Sequence, residues 1–211
     1  METQIRARAL VRMRAYDAFA DAAARGIEVQ YLPITTTRIV WLPDVNGVVI
    51  SSHVDTVRER RDLLAHAIAH ADIEDSKMMR KFRSGTATRD QVERRVRRIA
   101  ARRLIHSENL HEALRLSTSA IDIADHFDVP IGTLADRMRD LSMRELRSFG
   151  DAAAKLEWPK SSHSPAEENC GLGCAREGTR RRVAMANAAS ALSHHAARVG
   201  TVAAAIGLII S

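Results

Sequence analysis

Two histidines sit one helical turn apart inside an apolar stretch, and that pairing limits what the chain can fold into. The segment reads Leu63-Leu64-Ala65-His66-Ala67-Ile68-Ala69-His70-Ala71-Asp72. At a spacing of four on a helix, both imidazoles fall on one face. Burying polar rings among Leu63, Leu64, Ile68 and Ala71 costs free energy unless they find partners. Two imidazoles so placed can reach one tetrahedral cation. A fold built around this helix then has to bring a third donor to it from elsewhere in the chain. The plain alternative is a chance histidine pair with no metal.

Zinc peptidases place such a pair in H-E-x-x-H, where the glutamate is the general base. Here Ala67 occupies that position. The long metzincin pattern would put a further histidine at position 76, where the chain has Ser76, so that class is excluded. Gluzincins draw the third ligand from an acid on a later helix, and Asp90, Glu93, Glu108 and Glu112 are the downstream candidates. Glu93 is the best placed, beside an apolar face formed by Val96, Ala100 and Leu104. Its competing role is a surface ion pair with Arg97.

The rest of the chain alternates between two periods. Residues 3–25 carry apolar side chains at helical spacing and stop at Gly26. Ile27 to Tyr31 alternates as a half-buried strand does, and Arg38 to Leu42 and Val48 to Ile50 read as two more strands. Pro43-Asp44-Val45-Asn46-Gly47 between them is turn chemistry and predicts a hairpin. A helix is expected from about Thr56 to Ile73, capped by Asp55 or Thr56, and another from Arg89 to His106 after the break at Ser84-Gly85-Thr86. Residues 108–147 read as further short helices.

Taken together, these elements resemble the ImmA/IrrE family of metallopeptidases over roughly residues 10–145. The shared features are a helix, three short strands, a helix bearing Leu64-Ala65-His66 and His70, and a helix with a glutamate some twenty residues on. Trp41-Leu42-Pro43-Asp44, Val48-Val49-Ile50 and Leu134-Ala135-Asp136-Arg137-Met138 add to the likeness. The resemblance implies an α+β fold: a mainly helical zincin-like domain with a small three-stranded antiparallel sheet. It also implies zinc, or manganese, held by His66, His70 and Glu93. The expected activity is endopeptidase cleavage of a helix-turn-helix repressor in bacteria or mobile elements such as phages. The departure at Ala67 implies impaired cleavage, since a general base is worth about 10²–10⁴ in rate. Ala67 reads either as an engineered knock-out or as a natural pseudopeptidase that binds a repressor or DNA without cutting; survival of the ligands favours the first. Asp72, Glu74 and Asp75 follow the site but are poorly placed to replace the base.

Within the helical half, residues 116–147, Ile123 to Met138 resembles a helix-turn-helix. As a DNA reader it would offer Thr133, Asp136 and Arg137, but Asp122, Asp125, Asp128 and Asp136 oppose a polyanion. A net charge of +6, drawn mostly from arginine, is spread along the chain without interleaved aromatics, so a dedicated nucleic-acid face is not indicated. The domain is expected to span 1–150. Residues 151–211 are expected to form a linker and an appendage ending in the apolar run Val199 to Ile210. That run is too short for an ordinary membrane span, and suits packing on the domain, oligomer formation or contact with a membrane surface. Cys170 and Cys174 are spaced C-x-x-x-C and read as reduced thiols. With no apolar leader at the N-terminus and only two cysteines, a cytoplasmic protein is expected.

Overall fold

The structure, a computed structural model, describes residues 16–159. Most of the helix expected over 3–25 lies outside the described residues, as do Cys170 and Cys174 and the apolar run Val199 to Ile210 at the C-terminus. Nine helices and three strands are described. They are α1 (Ala18–Ala24), β1 (Glu28–Leu32), β2 (Ile39–Leu42), β3 (Gly47–Ser51), α2 (Val57–Ile73), α3 (Lys77–Arg83), α4 (Arg89–Leu104), α5 (Ser107–Leu116), α6 (Ala120–His126), α7 (Ile131–Arg139), α8 (Met143–Phe149) and α9 (Asp151–Ala154). The α+β class holds. The described residues group into two compact units, 18–96 and 97–159, together with 16–17, and the boundary falls within α4.

The sheet corrects one expectation: it is mixed, not antiparallel. Its order is β1-β3-β2, with β2 antiparallel and β1 parallel to β3. Burial explains the order. All five residues of β3 are buried, so this strand needs neighbours on both sides, whereas β1 is exposed at two of its five positions and suits an edge. The connection from β1 to β2 therefore passes the end of β3. It is fastened there by the buried Ser51, whose hydroxyl donates to the Ile34 carbonyl at 2.6 Å. The β2–β3 hairpin forms as expected through a 3₁₀ turn at Pro43–Val45. Asn46 closes that turn in the left-handed region at φ 48°, a conformation asparagine tolerates better than most residues. Its amide also donates to the carbonyls of Arg25 and Gly26.

Helix α3 had no counterpart in the sequence reading. It is seven residues long, mostly basic, and only Met79 of it is buried, so no apolar period announces it. Ser76 caps it by accepting from the Met79 amide.

In the second unit, α6 and α7 form a helix-turn-helix. Asp128 sits in the turn at φ 51°, and Ala120, Ile123, Ala124, Val129 and Leu134 fill its interior. Charged groups are also enclosed here. Arg137, 2% exposed, donates from Nε to the Ile105 carbonyl and pairs with Glu145. Glu145 completes a capping box with Ser142 at the start of α8. Burial pushes the Glu145 carboxyl up, but hydrogen bonds from Arg137 and Ser142 outweigh it and hold it at about 2. The buried Asp140 carboxylate is met by Arg98 and Arg102, one turn apart on α4. No helix among the described residues is long and apolar enough to cross a membrane.

Candidate metal centre

Helix α2 carries the site. It begins where the Thr56 hydroxyl accepts the Glu59 amide, and Glu59 reaches back to that hydroxyl and across to Arg38. The Glu59 carboxyl is pushed up by burial, yet these contacts outweigh that and lower it. From there α2 packs against α1 and against β2 and β3. Alternation of alanine with larger residues lets the helix sit close to its neighbours. Ala65, Ala67 and Ala69 are each no more than 1% exposed.

His66 and His70 emerge from this helix one turn apart, with ring centroids 4.9 Å apart in an edge-on arrangement. Their Nε2 atoms approach to 3.2 Å. Helix α4 brings Glu93 to the same point. Its carboxylate oxygens lie 3.3 Å from His66 Nε2 and 3.6 Å from His70 Nε2. Among the described residues these three form the one group of side chains able to hold a metal ion, with their donor atoms all within 4.8 Å of one another. All three are largely buried: the His70 side chain is 4% exposed and that of Glu93 12%.

Two observations test whether a cation fits. The first is spacing. Donors about 2.0–2.1 Å from a tetrahedral zinc lie about 3.3 Å from one another, which the separations above match. The second is an orphaned atom. Glu93 Oε1 is buried and accepts no hydrogen bond, an arrangement that costs free energy unless a positive centre compensates it. Electrostatics agree. Burial pushes the Glu93 carboxyl up, but the His66 and His70 imidazoles facing it outweigh that and hold the group at about 2. The carboxylate is thus an anion throughout the physiological range. A donor set of two imidazoles and one carboxylate suits zinc better than magnesium or calcium.

The competing acids of the sequence reading fall elsewhere. Asp90 is exposed, and Glu108 and Glu112 lie on α5 in the second unit. Arg97, the alternative partner of Glu93, instead approaches Asp136 at 3.7 Å. Downstream of the histidines, Asp72 accepts from Arg25 and Glu74 pairs with Arg83, while Asp75 is exposed. None of the three joins the cluster. Ala67 follows His66 directly and is 1% exposed, with a side chain that can neither accept nor donate a proton.

Some features near the site were not read from the sequence. Arg25 bonds to both Asp21 and Asp72 and so ties the end of α1 to the end of the helix that carries His66 and His70. The four-residue spacing of Asp21 and Arg25 was the available signal, but the longer contact to Asp72 joins residues 47 apart in sequence.

Comparison with known proteins adds one finding. A family model described as the peptidase IrrE N-terminal-like domain matches residues 22–139. That span contains both histidines, Ala67 and Glu93. No curated protein and no solved structure matches the chain.

Proposed function

This chain belongs to the IrrE N-terminal-like peptidase family, and we propose that within it the chain is a zinc-dependent metalloendopeptidase weakened at a single point, its general base. The reading is carried by the convergence of His66, His70 and Glu93 at donor spacings of 3.2–3.6 Å. In it, His66 and His70 hold the ion as neutral imidazoles and Glu93 as the anionic ligand. When bound, the metal supplies a Lewis acid for a peptide carbonyl and lowers the pKa of a water molecule. The chain provides no side chain at position 67 to orient that water or receive its proton, so hydrolysis is slowed while metal binding is kept.

The proposed substrate is a protein, specifically a helix-turn-helix repressor of a phage or other mobile element, met in the cytoplasm. A protein partner accords with the second unit better than DNA does, because Asp122, Asp125 and Asp128 on or beside α6 are exposed. The second reading, a pseudopeptidase that binds a repressor without cutting it, is favoured by one observation. Position 67 is enclosed, with Ala65, Ile68 and Ala69 around it also buried.

Metal content and cleavage, measured together, test these readings. The chain as it stands is expected to hold one zinc, and His66→Ala and His70→Ala to hold none. Ala67→Glu is expected to cleave candidate repressors about 10²–10⁴ faster than the unaltered chain. Zinc bound with no cleavage by either form would support the pseudopeptidase, and a chain that binds no metal would sink both.

A further inference from the structure

Large apolar side chains are unevenly exposed. Of the eight that stand out, six (Leu116, Ile121, Ile131, Met143, Leu146 and Trp158) belong to the second unit. Three of these neighbour one backbone bridge in sequence. The Glu157 amide donates to the Thr118 carbonyl at 2.7 Å, and the Ala120 amide donates to the Glu157 carbonyl at 3.0 Å. Leu116, Ile121 and Trp158 flank that bridge within two residues and are 45%, 50% and 43% exposed. Apolar area left in water costs free energy in proportion to its extent, so a cover over these side chains would be favourable.

The chain itself holds a matching segment. Val199 to Ile210 contains no charged residue and includes Val202, Ile206, Leu208, Ile209 and Ile210. The described residues end at Pro159, next to Trp158, so the rest of the chain departs from the patch itself. The intervening residues 160–198 can span up to ~130 Å, far more than a return to the patch needs. Tethering of this kind gives an effective concentration on the order of millimolar. Charge agrees with the pairing. Arg180, Arg181, Arg182 and Arg198 precede the run, and the exposed Asp122, Asp125 and Asp128 lie beside Ile121 in sequence.

We propose that the run Val199 to Ile210 docks, within the same molecule, on the patch formed by Leu116, Ile121 and Trp158. The contact is independent of the metal centre and gives the C-terminal segment a structural role.

Tryptophan fluorescence reads this directly, because the chain has two tryptophans and Trp41 is buried. In the full chain carrying Trp41→Phe, Trp158 reports alone. Its emission is expected to be blue-shifted, and its quenching by acrylamide several-fold weaker than in the same chain bearing Ile206→Asp and Ile209→Asp. Equal emission and equal quenching in the two chains would overturn the proposal. So would protection that is lost on dilution, which would indicate a second copy, or protection that appears only with anionic lipid vesicles, which would indicate a membrane. Hydrogen exchange supplies a measurement that leaves Trp41 untouched. Amides of residues 116–122 and 156–158 are expected to exchange several-fold faster in the double aspartate variant than in the unaltered chain, and equal rates would again overturn the assignment.

Discussion

Replacing Glu93 by glutamine separates the metal from the packing around it. The substitution keeps the shape of the side chain and removes the only anion among the three donors, which arrives on α4 while both histidines ride on α2. Partners outside the coordination sphere are already worth about 10–100-fold in metal affinity, so loss of a ligand should cost at least about 100-fold. At a zinc concentration 100 times the dissociation constant, binding stabilises the unaltered chain by about 2.7 kcal/mol. The variant, then near its own dissociation constant, gains only about 0.4 kcal/mol. For a chain of this size, about 2–4 °C per kcal/mol converts these to rises in melting temperature of about 5–11 °C and about 1–2 °C. Without metal the two proteins should lie within about 1–2 kcal/mol of each other, because the amide can still accept a hydrogen bond from an imidazole. Thermal melts with chelator and with buffered zinc measure all four values. An equal zinc-induced rise in both proteins would refute the claim that this carboxylate is a ligand.

Three further outcomes are expected elsewhere in the molecule. Arg137→Met keeps the aliphatic stem but strands the Ile105 carbonyl and the Glu145 carboxylate; a loss of about 3 kcal/mol is expected in chemical denaturation. The Glu145 carboxyl is held at about 2, below its ordinary value, so its contribution to stability is present above about pH 4.5 and is lost as the pH falls towards 2. An acid titration of stability should therefore be shallower for Glu145→Gln than for the unaltered chain. At the hairpin turn, Asn46→Ala combines the left-handed backbone with loss of two side-chain bonds and should cost about 2 kcal/mol, whereas Asn46→Gly should cost about half as much; the reverse order in urea midpoints would contradict the conformational account.

Much of the site could be read from the sequence because the histidine spacing is local. His66 and His70 lie on one helix whose limits, cap and apolar face are all short-range properties, and Thr56 and Ile73 bound that helix in the structure as expected. Glu93 could be favoured because it borders the apolar face of α4. What could not be read was non-local. The pairing of β1 with β3 depends on which strand is most deeply enclosed, and Gly47 to Ser51 is too short a run to declare that it belongs in the middle. Arg137 and Asp140 look like surface charges in sequence. They are enclosed because Glu145, Arg98 and Arg102 reach them across the second unit. Helix α3 was missed because seven mostly basic residues carry little periodic signal.

The parallel partnership of β1 with β3 also sets a difference in loop closure. The hairpin of β2 and β3 closes across a turn of a few residues and can form on its own within microseconds. Glu28 to Leu32, although made earlier in the chain, has no neighbour to join until Gly47 to Ser51 has arrived. Pairing Glu28 to Leu32 with Gly47 to Ser51 thus closes a longer stretch of chain than the hairpin does and costs more chain entropy, and the helix that bears the imidazoles follows β3 directly.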